Sequence, residues 1–347
     1  MKTPKYKRML LSIRFLVIAT LAAMAIASCQ SQTNNSETSL PDQANCRTIE
    51  HELGTTKVCG QPQRIVVLGP YLLEPLLALE VQPVAFADHV AFRQEDYDNP
   101  SQQIPYLGDL ISGNLANIGS VFSPSIEAIV KVQPDLIIGT DNNNDQYETF
   151  SRIAPTLSLN RADTEDNLRA IAQAVNRSGQ AEKLLEETER QIAAAREDFT
   201  SLVATHPKLL MLSSSQLQEI SLNDSAGLCT SLPKELGFEL ITLPEANNTE
   251  TNTPIPISIE TLPQLNDADL VVMLGYNVSQ IKGADNFKSH QLSKLKQAWS
   301  ENAIAQSLDA SKAGRVYFIP TYLCAGLPGA IGTELYLEEL KEQLLPP

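Results

Sequence analysis

Apolar residues fall in two rhythms along this chain. Short unbroken runs have the length of buried strands: RIVVLG (64–69), PVAFAD (83–88), DLIIG (135–139), KLLMLSS (208–214), DLVVML (269–274) and RVYFIP (315–320). Longer stretches carry helical spacing instead. They are YLLEPLLALE (71–80), SLPKELGF ending at Gly237, and the terminal IGTELYLEELKEQLL. IPYLGD reads as a short extended piece and IAPTLSLN as one more strand. Strands alternating with helices predict an α/β fold with parallel sheets.

Residues 163–199 predict helix almost throughout. Leu168, Ile171, Ala172 and Val175 share one face, and Gly179 breaks the run. Ala181, Leu184, Leu185, Thr188, Ile192 and Ala195 then continue a stripe on a longer helix. The strand–helix alternation restarts after it, so the layout is lobe, long helix, lobe.

One unit occurs in both halves. In SPSIEAIVKVQPDLIIG (123–139), Ile126, Ile129, Val130 and Val132 are expected on the inner side of a short helix, with Glu127 near its start. PISIETLPQLNDADLVVML (256–274) repeats the order, with Glu260 in the place of Glu127, Asp269 in that of Asp135, and one extra residue. Taken alone, each glutamate is a partner for a helix dipole, worth about 0.3–1 kcal/mol.

The N-terminus has a different character. Five basic residues precede the 13-residue apolar segment Phe15–Ala27, which leads into IASC (26–29). This resembles a bacterial lipoprotein signal, which implies cleavage before Cys29 and lipidation of its thiol. Residues 1–28 are thus read as signal peptide and 29–45 as a polar tether. The first 28 residues hold five of the 26 basic residues and none of the 41 acidic ones. The remainder is strongly acidic, which argues against nucleic acid and against charge-driven adhesion to anionic lipid. Export permits disulfides. Cys46 and Cys59 flank a hairpin turning at Gly54 and can meet across its ends. Cys229 and Cys324 form a second pair or remain two free thiols.

The order HELGTTKVCGQPQRIVVL, LLALEVQPVAFAD, PSIEAIVKVQPDLIIG and AGRVYFI, over nearly the whole chain after Arg47, resembles the substrate-binding proteins of ABC importers for iron–siderophores and cobalamin. The sequence departs from that family at Glu80, where glycine is usual, at Cys59, where proline is frequent, and near Leu323 and Cys324, where an aromatic is common. The resemblance implies two Rossmann-like lobes, 46–162 and 206–347, joined by a rigid helical linker, 163–205, with the ligand between them. It also implies that Glu127 and Glu260, one per lobe, dock onto arginines of the permease through charge-assisted pairs.

Ligands of open α/β sheets sit beyond the carboxyl ends of the strands. That places Tyr71, His89, Arg93, Asn142, Ser214, Tyr276, Asn277 and Tyr322 at the site. Arg93 is the only cation in these loops, with Lys282 just beyond. The expected ligand therefore has low net charge, as a hydroxamate-type ferric siderophore does; cobalamin, haem or a bare divalent metal are the alternatives. The four histidines, His51, His89, His206 and His290, are too dispersed for a tight metal site. There is no GxSxG elbow, P-loop or HExxH, so no enzyme is expected. The expected protein is a lipid-anchored, extracytoplasmic monomer without a cofactor, partnered by an ABC permease.

Overall fold

The computed structural model describes residues 45–89, 95–161, 163–223, 227–243, 254–277, 279 and 284–345. The signal peptide, Cys29, nearly all of the tether, Arg93 and Lys282 lie outside the described residues.

Strands β1 (Cys46–His51) and β2 (Gly54–Cys59) pair antiparallel, in a register that sets Cys46 opposite Cys59. Those cysteines form a disulfide. The inner side chains Ile49 and Val58 enter the core of the first lobe.

That lobe is a six-stranded sheet of β3 (Ile65–Leu68), β4 (Ala85–Asp88), β5 (Ala116–Ser120), β6 (Ser123–Pro124), β7 (Leu136–Thr140) and β8 (Thr156–Leu159). The spatial order is β6-β5-β4-β3-β7-β8. Every residue of β3, β4, β7 and β8 is buried. Burial on both faces is what makes these strands unbroken apolar runs rather than alternating ones.

The second sheet contains β9 (Lys208–Ser214), β10 (Ile220–Leu222), β11 (Glu239–Leu240), β12 (Ile255–Ile257), β13 (Leu270–Gly275) and β14 (Val316–Pro320). Its order is β12-β10-β9-β13-β14, with β11 also paired to β9. The sheets are parallel with specific exceptions: β6 runs against β5, and β10 runs against both β9 and β12. The links from β5 to β6 and from β9 to β10 are too short for a crossover, so those strands must turn back.

The repeated aspartates do the same work in both lobes. The Asp135 carboxylate accepts from the backbone N–H groups of Gln63 and Arg64 at 2.7 and 2.9 Å, just ahead of β3. The Asp269 carboxylate accepts from the N–H of Lys208, the first residue of β9, at 3.0 Å. Each therefore ties the start of its lobe's first strand to the neighbouring strand it precedes.

The helical unit differs from expectation in detail. Helices Thr164–Ala174 and Ser178–Thr205 are separated at Asn176, whose φ is 58°, and Gly179 lies inside the second helix. Asparagine tolerates the left-handed region, so it can make the break. The 28-residue helix serves both lobes: Ala181, Leu184 and Leu185 pack on the first core, while Ile192, Ala195 and Phe199 pack on the second. The IPYLGD segment is turn and 3-10 helix (Gly108–Leu110) rather than extended, with Tyr106 at φ 63°. No helix among the described residues is long and apolar enough to cross a membrane.

The Glu-bearing units also diverge. Ile126–Lys131 is an α-helix capped by Ser125, which accepts from the Ala128 N–H at 3.2 Å. Of its expected inner side chains only Ile129 is fully buried, Val132 is half-buried, and Ile126 and Val130 face solvent. Ile259–Leu265 is 3-10, with Pro263 inside it. A proline there removes an N–H donor and prevents a regular α-helix.

Candidate functional site

The chain enters the first sheet at β3, builds outward through β4 and β5, then returns to add β7 and β8 on the other side. The reversal between β3 and β7 is a topological switch point, where a crevice opens beyond the strand ends. Tyr71 and Asn142 stand on its two sides, and the Asn142 Nδ2 donates to the Tyr71 hydroxyl at 3.0 Å. The Tyr71 ring folds back over Gly69, whose φ is 116°; a Cβ there would come within 2.5 Å of the ring. Glycine is required at that position on both counts.

Three rings line up along this edge. Tyr71 and His89 meet edge-on with centroids 4.8 Å apart, and His89 lies 5.7 Å from Phe122. Phe122 follows β5 and is 59% exposed. Burial, aided by the charge of Arg161, pushes the His89 pKa down to about 4, so the ring is neutral at neutral pH. Burial raises the Tyr71 hydroxyl above its ordinary value, against the hydrogen bonds from Thr140 and Asn142.

Arg161, two residues beyond β8, completes the wall. Its guanidinium grips Asp141 with two bonds of 2.8 Å. This fork holds the Asp141 carboxylate below its usual pKa. The sequence reading considered the loops after β3, β4 and β7 but not the one after β8, and so missed Arg161. Phe122 escaped because it follows a strand that pattern alone did not mark.

The second lobe has its own reversal, between β9 and β13. Ser214 and Tyr276 stand there, joined by a Tyr276 N–H to Ser214 carbonyl bond of 3.3 Å. The Ser214 side chain is fully buried, and its hydroxyl donates to the Gln216 and Glu219 carbonyls, so it fixes the loop. Asn277 is similarly engaged: its N–H donates to Gln291, its Nδ2 to the His290 carbonyl, and its Oδ1 accepts from Ser279. Tyr276 is 36% exposed.

Tyr322 reaches across to the first lobe. It stacks on Tyr106 at 6.1 Å and meets Phe287 at 5.0 Å, and Tyr106 also meets Phe287 at 5.8 Å. The Tyr322 hydroxyl is buried without a hydrogen-bond partner among the described residues, as is the Thr321 hydroxyl. Burial, then the nearness of Asp88, Tyr97 and Tyr106, drives the Tyr322 pKa well above its ordinary value. The lobes are further joined by the Ala284 N–H donating to the Gln102 carbonyl at 2.9 Å.

A further inter-lobe tie is made by hydrogen bonds to a buried carboxyl group. Glu74, on the helix Pro70–Ala78, is fully buried. It accepts from the N–H groups of Gly329, Ile331 and Gly332 at 2.7, 2.8 and 3.4 Å, capping the terminal helix Ala330–Leu344. Behind this contact lies a cavity of about 580 Å³, lined by Pro75, Leu168, Leu185, Ile192 and Thr333 among others. It is on the long-helix side, away from the strand ends where the rings and the Arg161–Asp141 pair converge. Those strand ends, not the cavity, are where sheet topology directs a ligand.

The Cys229–Cys324 disulfide closes next to Tyr322. It fastens the loop after β14 to the helix Leu228–Glu235. Glu127 and Glu260 are both exposed, one per lobe, and neither has an ionic or hydrogen-bond partner among the described residues. No group of three or more His, Cys, Asp or Glu among the described residues is arranged to hold a metal ion.

This architecture matches that of known binding proteins. The Staphylococcus aureus protein SirA, solved in complex with staphyloferrin B, superimposes with a TM-score of 0.68 at 23% identity, covering 85% of this chain and 97% of SirA. The "Probable siderophore-binding lipoprotein YfiY" of Bacillus subtilis is 24% identical over 343 residues, spanning 96% of this chain and 98% of YfiY. The Fe(3+)-citrate-binding protein YfmC of the same organism is 25% identical over 312 residues, 88% of each chain. The family profile of the periplasmic binding proteins, which bind solutes for transport and are not enzymes, matches residues 65–323, from β3 to the loop that carries Tyr322, and the chain belongs to that family.

Proposed function

We propose that this protein captures a ferric siderophore between its two lobes and delivers it to the permease of an ABC importer. Family membership and the names of the relatives support the class of cargo. The wall of Tyr71, His89, Phe122, Asn142 and Arg161 in the first lobe would face the chelate, with Tyr276 and Tyr322 opposite. Ser214 and Asn277 support their loops and do not touch the ligand.

The observation that carries the finer reading is the charge balance. Arg161 is the cation among the described strand-end residues, and its charge is spent on Asp141. Among the described residues a polyanionic tris-catecholate would find no net positive wall, whereas a ferric hydroxamate of low charge needs none. Cys29 would anchor the protein by lipid outside the cytoplasmic membrane, and Glu127 and Glu260 would dock the loaded protein.

Intrinsic-fluorescence quenching tests the cargo. Saturable quenching by a ferric trihydroxamate, much tighter than by a ferric tris-catecholate, is expected; the reverse order would overturn the low-charge reading. For docking, the double variant Glu127→Arg/Glu260→Arg should abolish uptake while leaving ligand affinity unchanged. Normal uptake by that variant would sink the two-point attachment.

A further inference from the structure

The short helix Ile126–Lys131 turns the wrong side chains outward for a purely structural element. Only Ile129 is fully buried; Val130 is 51% exposed and Ile126 36%. At about 100° per residue, Ile126, Val130 and Glu127 fall within one arc of about 100°. Single exposed apolar side chains are ordinary on a protein surface. Here two of the six exposed large hydrophobics among the described residues sit one helical turn apart, beside the same carboxylate. Both are β-branched, which does nothing for an isolated six-residue helix.

The matching segment of the second lobe lacks this feature. Around Glu260 the exposed residues are Ser258, Pro263 and Gln264, while Leu262 and Leu265 are buried. The internal repeat therefore keeps the glutamate, but Ile259, in the place of Ile126, is half-buried against its own core, and Pro263 replaces Val130.

We propose that Ile126 and Val130 form an apolar contact with the membrane-spanning subunit of the importer, so that docking is chemically asymmetric: apolar and ionic at the first lobe, ionic alone at the second. The proposal rests on the docking role of Glu127 given above. Continuity with that carboxylate selects the occupant, since any surface that reaches Glu127 must cover the side chains beside it. An anionic lipid surface would instead repel so acidic a chain, which sets 41 acidic against 26 basic residues. Ionic contacts weaken with salt and apolar ones do not. The two halves of the attachment should thus be separable by ionic strength.

The test uses the full protein and nanodiscs holding the importer whose uptake depends on it, with empty nanodiscs as control, and reads affinity at low and high salt. Ile126→Ser/Val130→Ser should weaken binding by about tenfold at both salt concentrations, as expected from the apolar area lost, with an unchanged melting temperature. Glu260→Gln should weaken binding at low salt and flatten the salt dependence. Affinity of the Ile126→Ser/Val130→Ser variant within twofold of wild type, or a loss confined to low salt, would overturn the proposal. So would a concentration-dependent dimer, seen by sedimentation and broken by that variant, because a second copy would then be the occupant. Loss with Ile126→Ser/Val130→Ser but none with Glu127→Gln or Glu260→Gln would uphold the apolar contact and remove the ionic docking reading instead.

Discussion

Glu74→Gln should change how stability depends on pH, and the structure fixes the sign. Burial pushes the Glu74 pKa from its ordinary 4.5 up to about 7, against the pull of three backbone N–H groups that favour the anion. The folded protein therefore holds this proton to a higher pH than the unfolded chain does. Stability from this group is fully present below about pH 4.5 and is lost as pH rises through about 7. Each pKa unit is worth about 1.4 kcal/mol, so the full effect is roughly 3.5 kcal/mol, of which roughly 2.5 kcal/mol falls between pH 5 and pH 8. Glutamine cannot ionise, so the variant lacks this slope. It also turns an NH₂ toward the N-terminus of Ala330–Leu344, leaving a buried donor unsatisfied at a cost of about 1–3 kcal/mol. The variant should be clearly less stable than wild type at pH 5, and the gap should close or reverse by pH 8. Urea unfolding followed by linear extrapolation at both pH values measures it. A gap that is independent of pH, or that widens as pH rises, would refute the assignment of a raised pKa to Glu74.

Two other outcomes follow from the same kind of reasoning. Replacing Cys229 and Cys324 by serine opens a covalent loop with a sequence separation of 95, and should cost about 4.5 kcal/mol; opening the Cys46–Cys59 loop, with a separation of 13, should cost about 3 kcal/mol. Calorimetry of the two variants compares them, and equal or inverted losses would contradict the loop argument. The His89 ring should titrate at about pH 4 by NMR, and Arg161→Gln should move that midpoint upward by removing a neighbouring positive charge. A midpoint near the ordinary 6.5 in the native protein would mean that the ring is not buried against Tyr71.

Much of the fold was legible because parallel strands buried on both faces write themselves as continuous apolar runs. RIVVLG, DLIIG and DLVVML became β3, β7 and β13 on that signal alone. The repeat was also legible, and Asp135 and Asp269 give it a cause, since both hold the first strand of their lobe. The failures have physical reasons too. Asn176 made the helix break attributed to Gly179, because an asparagine in the left-handed region does a glycine's work. Ile126 and Val130 were read as inner residues because apolar spacing normally marks a core face. At the site, Tyr71, His89 and Asn142 could be placed from strand ends, but the Arg161–Asp141 fork joins residues 20 apart through two different loops. Glu74 looked like a helix residue of no consequence, because its partners lie more than 250 positions away. Tertiary pairs of that reach leave no local trace.

The long helix imposes a rule on its own length. It runs about 42 Å at 1.5 Å per residue and gives Ala181 and Leu185 to one core and Ala195 and Phe199 to the other. Inserting one residue between Leu185 and Ala195 would swing the second stripe by about 100° and advance it by about 1.5 Å. The second lobe would be carried round with it, and Tyr322 would lose Tyr106. An insertion of seven residues returns the stripe to within about 20° of its phase but separates the lobes by about 10 Å. Surface loops can drift in length across generations, whereas this helix acts as a screw thread whose count of residues is locked by the two cores it joins.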